Sequence, residues 1–405
     1  NPGDLLKVLY KDGDKVDDSS YELNEPLGSE KNPIMLTSDE DLKKLATAVK
    51  SGEDYEFIIK NFYCKKDDGV TTYYDRTFTI NNSGDNAGFK DTYFYCAFNT
   101  GTVTLDATWQ GIGTADNPFK GHIGAGRYVE NPANVKTSTD IASAGDQDTI
   151  IFSGATCGLF NYCDGATIDN IHVKGSISAA GEGSSLGAIC GTATNTTFEH
   201  CTNSCSITSE AISVGGIVGS ATQCAIDSCY NFGALSVSND DANVGGIAGH
   251  LQNGEDNELF FCYNSGTVSG GTNAGGIVGY AQNDGSSISY IYVCKNVGDV
   301  SGDGVGGGIV GLNEAYTISQ CYNSGSIDGY AMCSSESVEL GDDEHYVKIY
   351  DCLNIGETES LSDAALTYSS LSNTTYYNYR EGEIEEIDDE TINIYKNVFN
   401  LIFKL

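Results

Sequence analysis

Four acids on short apolar-alternating runs, Asp169, Glu199, Asp227 and Asp299, are the residues whose type best suits paired-carboxylate chemistry. Glycoside hydrolysis needs two carboxyl groups about 5–9.5 Å apart. Acids on neighbouring segments could meet that distance, but the plainer reading is a solvated surface. The five histidines, His122, His172, His200, His250 and His345, are dispersed, and each is expected to be structural. Cleavage of an anionic glycan by elimination would need cations to neutralise a uronate. The chain has three arginines, Arg76, Arg127 and Arg380, and few lysines in its regular part, Lys174, Lys295 and Lys348. None of the 14 cysteines lies in a Cys-x-x-Cys pair, so a zinc site of standard spacing is not supported and no metal site is expected. No Ser-His-Asp set, phosphate loop or dinucleotide fingerprint is recognisable. The chemistry-bearing residues therefore point to a chain that is not an enzyme.

What must position these residues is a repeat. A Gly-x-Ile-x-Gly element recurs at Gly187–Gly191, Gly215–Gly219, Gly245–Gly249, Gly275–Gly279 and Gly307–Gly311, in steps of 28, 30, 30 and 32 residues. In phase with it runs an apolar residue, two further residues, Cys, any residue, then Asn. The copies start at Phe198, Ile226, Leu259, Ile291, Ile318 and Ile349, and a degenerate one at Ile168 has Ile171 and Val173 in place of Cys and Asn. Glycine usually follows four residues after the Cys position, as at Gly233, Gly266, Gly298 and Gly325. Runs of three to five residues with period two are strands. Three such runs and three corners in about 30 residues predict one coil of an all-β, right-handed parallel β-helix, a β-solenoid whose core forms only when coils stack.

Stacking about 4.8 Å apart would place equivalent residues above one another. Asn203, Asn231, Asn264, Asn296, Asn323 and Asn354 are expected to form an amide ladder. Cys201, Cys229, Cys262, Cys294, Cys321 and Cys352 would stack as buried free thiols, because a disulfide needs Cβ atoms nearer 3.8 Å. Cys157–Cys163 and Cys205–Cys224 are guesses at pairs among the remaining cysteines. Tyr230, Tyr263 and Tyr322, each following a ladder cysteine, are the candidate binding face, with packing beneath a loop as the alternative.

Gly275–Gly279 followed by Ile291-x-x-Cys294 and Gly298-Asp-Val300, and Gly307–Gly311 followed by Ile318-Ser-Gln-Cys321-Tyr-Asn-Ser-Gly-Ser-Ile327, resemble the GLUG repeat of bacterial and some protist surface or secreted proteins. The resemblance spans roughly residues 34–360. It extends upstream to Asp41–Gly52, similar to the helix that precedes such repeats, and to Trp109–Gly121, similar to their first irregular coils. His122-Ile123-Gly124-Ala-Gly126 stands where Phe-Asp-Gly is usual, which leaves that turn open. The resemblance implies fold and an extracellular or cell-surface location, and carries almost no chemistry.

Four parts are expected: an arm over 1–33, a cap helix with irregular coils over 34–157, regular coils over 158–360, and a cap or docking segment over 361–405. Ser38 should cap the helix, with Leu42, Leu45 and Val49 on one face. Lys+Arg 21 against Asp+Glu 57 gives a net charge of −36, which disfavours nucleic acid and anionic membrane surfaces. No apolar stretch is long enough to insert into a bilayer. Collagen is excluded, since 49 glycines show no three-residue period and proline is scarce. The acidic cluster 381–390 reads as a solvated turn, with a calcium-binding loop as the alternative; otherwise no cofactor is expected. The function expected is a non-catalytic surface rod for adhesion or display, its partner a glycan or protein surface. The alternatives are a filament or layer subunit self-associating through its termini, and a carbohydrate-active β-helix enzyme.

Overall fold

The computed structural model describes residues 27–67, 70–125, 148–179, 181, 183–252, 257–282, 289–314, 316–330, 332–334, 348–350, 352–354, 356, 375–377, 379–380, 383–384 and 397. Most of the expected arm and C-terminal segment, including 381–382, 385–390 and 398–405, lies outside them.

The chain is a parallel β-solenoid. Its first face is a ten-stranded sheet running from Ile34–Leu36 through Tyr93–Cys96, His122–Ala125, Thr167–Asp169, Thr197–Glu199, Ala225–Asp227, Glu258–Phe260, Tyr290–Tyr292 and Thr317–Ser319 to Lys348–Tyr350. The second face has seven strands, from Phe160–Asp164 to Cys333–Ser334. The third begins at Thr102–Asp106 and Thr149–Ala155 and ascends through His172–Ala179 and Thr202–Ser209. Among the described residues, every coil-to-coil pairing within these faces is parallel except that of Thr375–Tyr377, which runs antiparallel to Cys352–Asn354. Nine steps of about 4.8 Å make the first face roughly 43 Å long.

Alternation puts one residue of each three-residue strand inside. Ile168, Phe198, Ile226, Leu259, Ile291 and Ile318 form one fully buried column of the core. The glycines of the repeat let backbones meet: a Cβ on Gly246 would collide with the Gly276 carbonyl and the Asn264 side chain.

The base differs. A helix over Asp39–Ser51 is capped by Ser38, whose hydroxyl accepts from the Asp41 amide at 3.3 Å and donates to its carboxylate at 3.0 Å. Gly52 closes the helix at φ 69°. Leu42, Leu45 and Val49 are buried. Below the regular coils, Tyr55, Phe89 and Phe94 meet edge to face, with centroids 5.6–6.4 Å apart. Trp109 donates its indole N–H to the Gly158 carbonyl at 2.9 Å, and Ile112 and Phe119 bridge to Phe160 and Cys163 of the second face. His122–Ala125 is a strand of the first face, which answers the question left at that turn. A long antiparallel hairpin, Tyr55–Asp67 with Val70–Ile80, forms a separate two-stranded sheet.

Candidate functional site

The repeated hexad dictates what lies inside and outside at one corner. The residue after the inward apolar one points out from the first face. The next, Asn170, His200, Ser228, Phe261, Val293 or Gln320, has φ of 50–53°. This left-handed residue turns the chain from the first face into the third. Cysteine then points inward, the following residue outward, and asparagine inward.

Inside, the asparagine amides bond from coil to coil. Nδ2 of Asn203, Asn231, Asn264, Asn296 and Asn323 donates to Oδ1 of the next asparagine at 2.6–2.8 Å. Each also closes its own turn: Asn264 Nδ2 donates to the Gly266 carbonyl at 2.9 Å and Oδ1 accepts from the Gly266 amide at 3.2 Å. Asn264 thus uses its two donors and two lone pairs in full, as a wholly buried amide must. The cysteines beside them are buried and in no disulfide. Their thiols donate to carbonyls of the preceding coil, as Cys262 does to Ile226 at 3.5 Å, and burial pushes Cys229, Cys262, Cys294 and Cys321 well above the ordinary thiol range. Cys157, Cys163, Cys205 and Cys224 are also free, which corrects the two guessed pairs.

The tyrosines following the cysteines do not make an exposed stripe. Tyr263 and Tyr322 are only 5% and 7% exposed, and Tyr230 is half-buried. In parallel register their long side chains cover one another: Tyr230 and Tyr263 lie 6.5 Å apart between centroids, Phe232 lies 5.9 Å from Tyr263, and Lys295 Nζ sits 5.2 Å over the Tyr322 ring. Of the two readings of these tyrosines, an exposed face or packing beneath neighbouring groups, their burial fits the second.

The outward column of the first face is different. In register it reads Tyr95, Gly124, Asp169, Glu199, Asp227, Phe260, Tyr292, Ser319. Three stacked acids give way to an aromatic cluster. Phe260 and Tyr292 are 5.3 Å apart, Phe261 and Tyr292 6.3 Å, and Phe261 is 36% exposed. Glu258 and Tyr290 flank it on the neighbouring outward column. At the acidic end His200 Nδ1 lies 3.0 Å from Asp169 Oδ1. That bond, with further help from Asp227 and Glu199, holds the His200 imidazole above its usual range despite burial. His172 is elsewhere, buried with Nε2 3.0 Å from Asn170 Oδ1. Asp299 is outside the column and accepts from the Ser326 amide. Sequence reasoning singled out three of these acids without aligning them. The usable signal was their shared place two residues before the cysteine position.

No family model matches the chain, and no curated protein matches it. Among solved structures it is similar to a "putative immunoglobulin A1 protease" from Bacteroides ovatus, at 17% identity and a TM-score of 0.42, covering 84% of this chain and 87% of that one. It is also similar to a structure named IgA1 Protease, at 13% identity and a TM-score of 0.36, covering 85% of this chain and 30% of that one. Both names are those of a protease. The expectation that the chain is not an enzyme is corrected on this finding and is not carried further. Among the described residues no helix is long and apolar enough to cross a membrane.

Proposed function

We propose that this β-solenoid is an extracellular surface rod whose first face binds an extended glycan. The observation that carries this reading is the outward column in which Asp169, Glu199 and Asp227 continue into Phe260 and Tyr292. Aromatic faces offer large, rigid contact area at low conformational cost, and carboxylates accept hydrogen bonds from hydroxyls. Strands at fixed spacing hold these groups in a line, so an extended ligand meets a pre-ordered surface. The GLUG-like repeats support the location, as such repeats occur in surface and secreted proteins. A net charge of −36 keeps the rod soluble and favours a neutral or basic ligand over an anionic one.

A glycan array probed with the chain, followed by titration of the best binder, tests the reading. Phe260→Ala with Tyr292→Ala is expected to weaken binding about a hundredfold, taking about 1.4 kcal/mol per ring. Absence of any glycan binding, or unchanged affinity in this variant, would overturn it.

A further inference from the structure

At the acidic end of the column, where the glycan reading uses the carboxylates only as hydrogen-bond acceptors, His200 joins them as a group that reading does not use. Asp169 and Glu199 are register partners on adjacent strands, with Asp227 one step further. Like charges directly opposite each other destabilise a sheet, so this stack favours a cation. His200 supplies a nitrogen there because its left-handed corner, φ 53°, stands between the first and third faces. One donor atom each from Asp169, Glu199 and His200 lies within 4.8 Å of the others.

We propose that Asp169, Glu199 and His200 bind a divalent transition-metal ion of the zinc class. The 3.0 Å between His200 Nδ1 and Asp169 Oδ1 is close to the separation of about 3.3 Å between neighbouring ligands in a tetrahedral site with bonds of about 2.0 Å. An ion would replace the proton these two atoms now share. One nitrogen and two carboxylates suit zinc or its neighbours better than calcium, which takes six to eight oxygens. Both acids sit on strands fixed by neighbouring coils, so the site is rigid. In the other coils the corner residue is Asn170, Ser228, Phe261, Val293 or Gln320, so histidine meets two stacked acids here. Three protein ligands leave a coordination position open to water or to an oxygen of a bound molecule. The proposal stands whether or not the first face binds a glycan.

The test uses the full chain, free of any affinity tag and stripped with chelator, titrated calorimetrically with Zn²⁺ at pH 7.5. Visible absorption with Co²⁺ serves as a second readout. One ion per chain is expected, with a higher Tm and cobalt bands lacking thiolate charge transfer. Glu199→Gln and His200→Asn should each weaken binding at least about tenfold. Asn170 occupies the same corner one coil earlier, so His200→Asn keeps the turn, and circular dichroism checks that it folds. Binding should also fall at pH 5.5, where protons compete for His200. Lack of binding, binding that survives both substitutions, or thiolate bands from cobalt would each overturn the proposal.

Discussion

One six-residue stretch of each coil builds two unlike regions. Its inward positions repeat almost without change, as asparagine and cysteine at 0% exposure through Asn231, Asn264, Asn296 and Asn323. Its outward position on the first face changes from coil to coil, from acids at 169, 199 and 227 to aromatics at 260 and 292. The interior is uniform because every coil presents the same hydrogen-bonding groups to the coil above and below, so one solution serves all. The outer column faces solvent and carries no such demand. Repetition therefore marks what holds the rod together, and variation marks where individual chemistry sits.

Substitutions should separate the two regions sharply. Asn264→Ala strands the Asn231 donor, the Asn296 acceptor and both polar groups of Gly266, and is expected to cost about 4 kcal/mol. An unfolding free energy within about 1 kcal/mol of the parent in chemical denaturation would contradict the ladder's role. Gly246→Ala forces a Cβ against the Gly276 carbonyl and Asn264; about 3 kcal/mol of destabilisation is expected in the same assay. The corner gives the opposite sign. Gln320 is exposed at φ 51°, so Gln320→Gly relieves left-handed strain while losing little packing. It should stabilise by about 0.5–1 kcal/mol, net of the entropy glycine brings.

The smallest effect belongs to the outer column. The folded-state pKa of His200 is raised by Asp169. Its stabilising contribution is therefore fully present below the unfolded value of about 6.5 and disappears as pH rises through the higher folded value. A partly exposed pair contributes under about 1 kcal/mol. Parent and Asp169→Asn, compared by thermal melts without metal, should differ most near pH 5.5 and converge toward pH 8. A difference that grows with pH would refute the pairing.

The contrast also explains what could be read from the sequence. The solenoid was legible because Cys-x-Asn and Gly-x-Ile-x-Gly encode contacts every coil must repeat, and the helix because Ser38, Asp41, Leu42, Leu45 and Val49 form a local pattern. For the tyrosines the sequence left an exposed face and packing both open, because an outward position need not be an exposed one. In parallel register, bulky neighbours such as Tyr230, Phe232, Tyr263 and Lys295 bury one another. The acids and His200 were visible singly. Their alignment depends on which strands pair and on the positive φ that brings the imidazole to Asp169. The absence of catalysis was inferred from missing motifs alone, and motifs that are missing from a sequence establish no absence.

Glycan binding by the first face is tested most directly by titrating one array-selected glycan against two variants side by side, Phe260→Ala/Tyr292→Ala and Tyr230→Phe/Tyr322→Phe. About a hundredfold loss is expected in the first and parental affinity in the second. Parental affinity in the first together with loss in the second would move the binding surface to the third face and contradict binding by the first face.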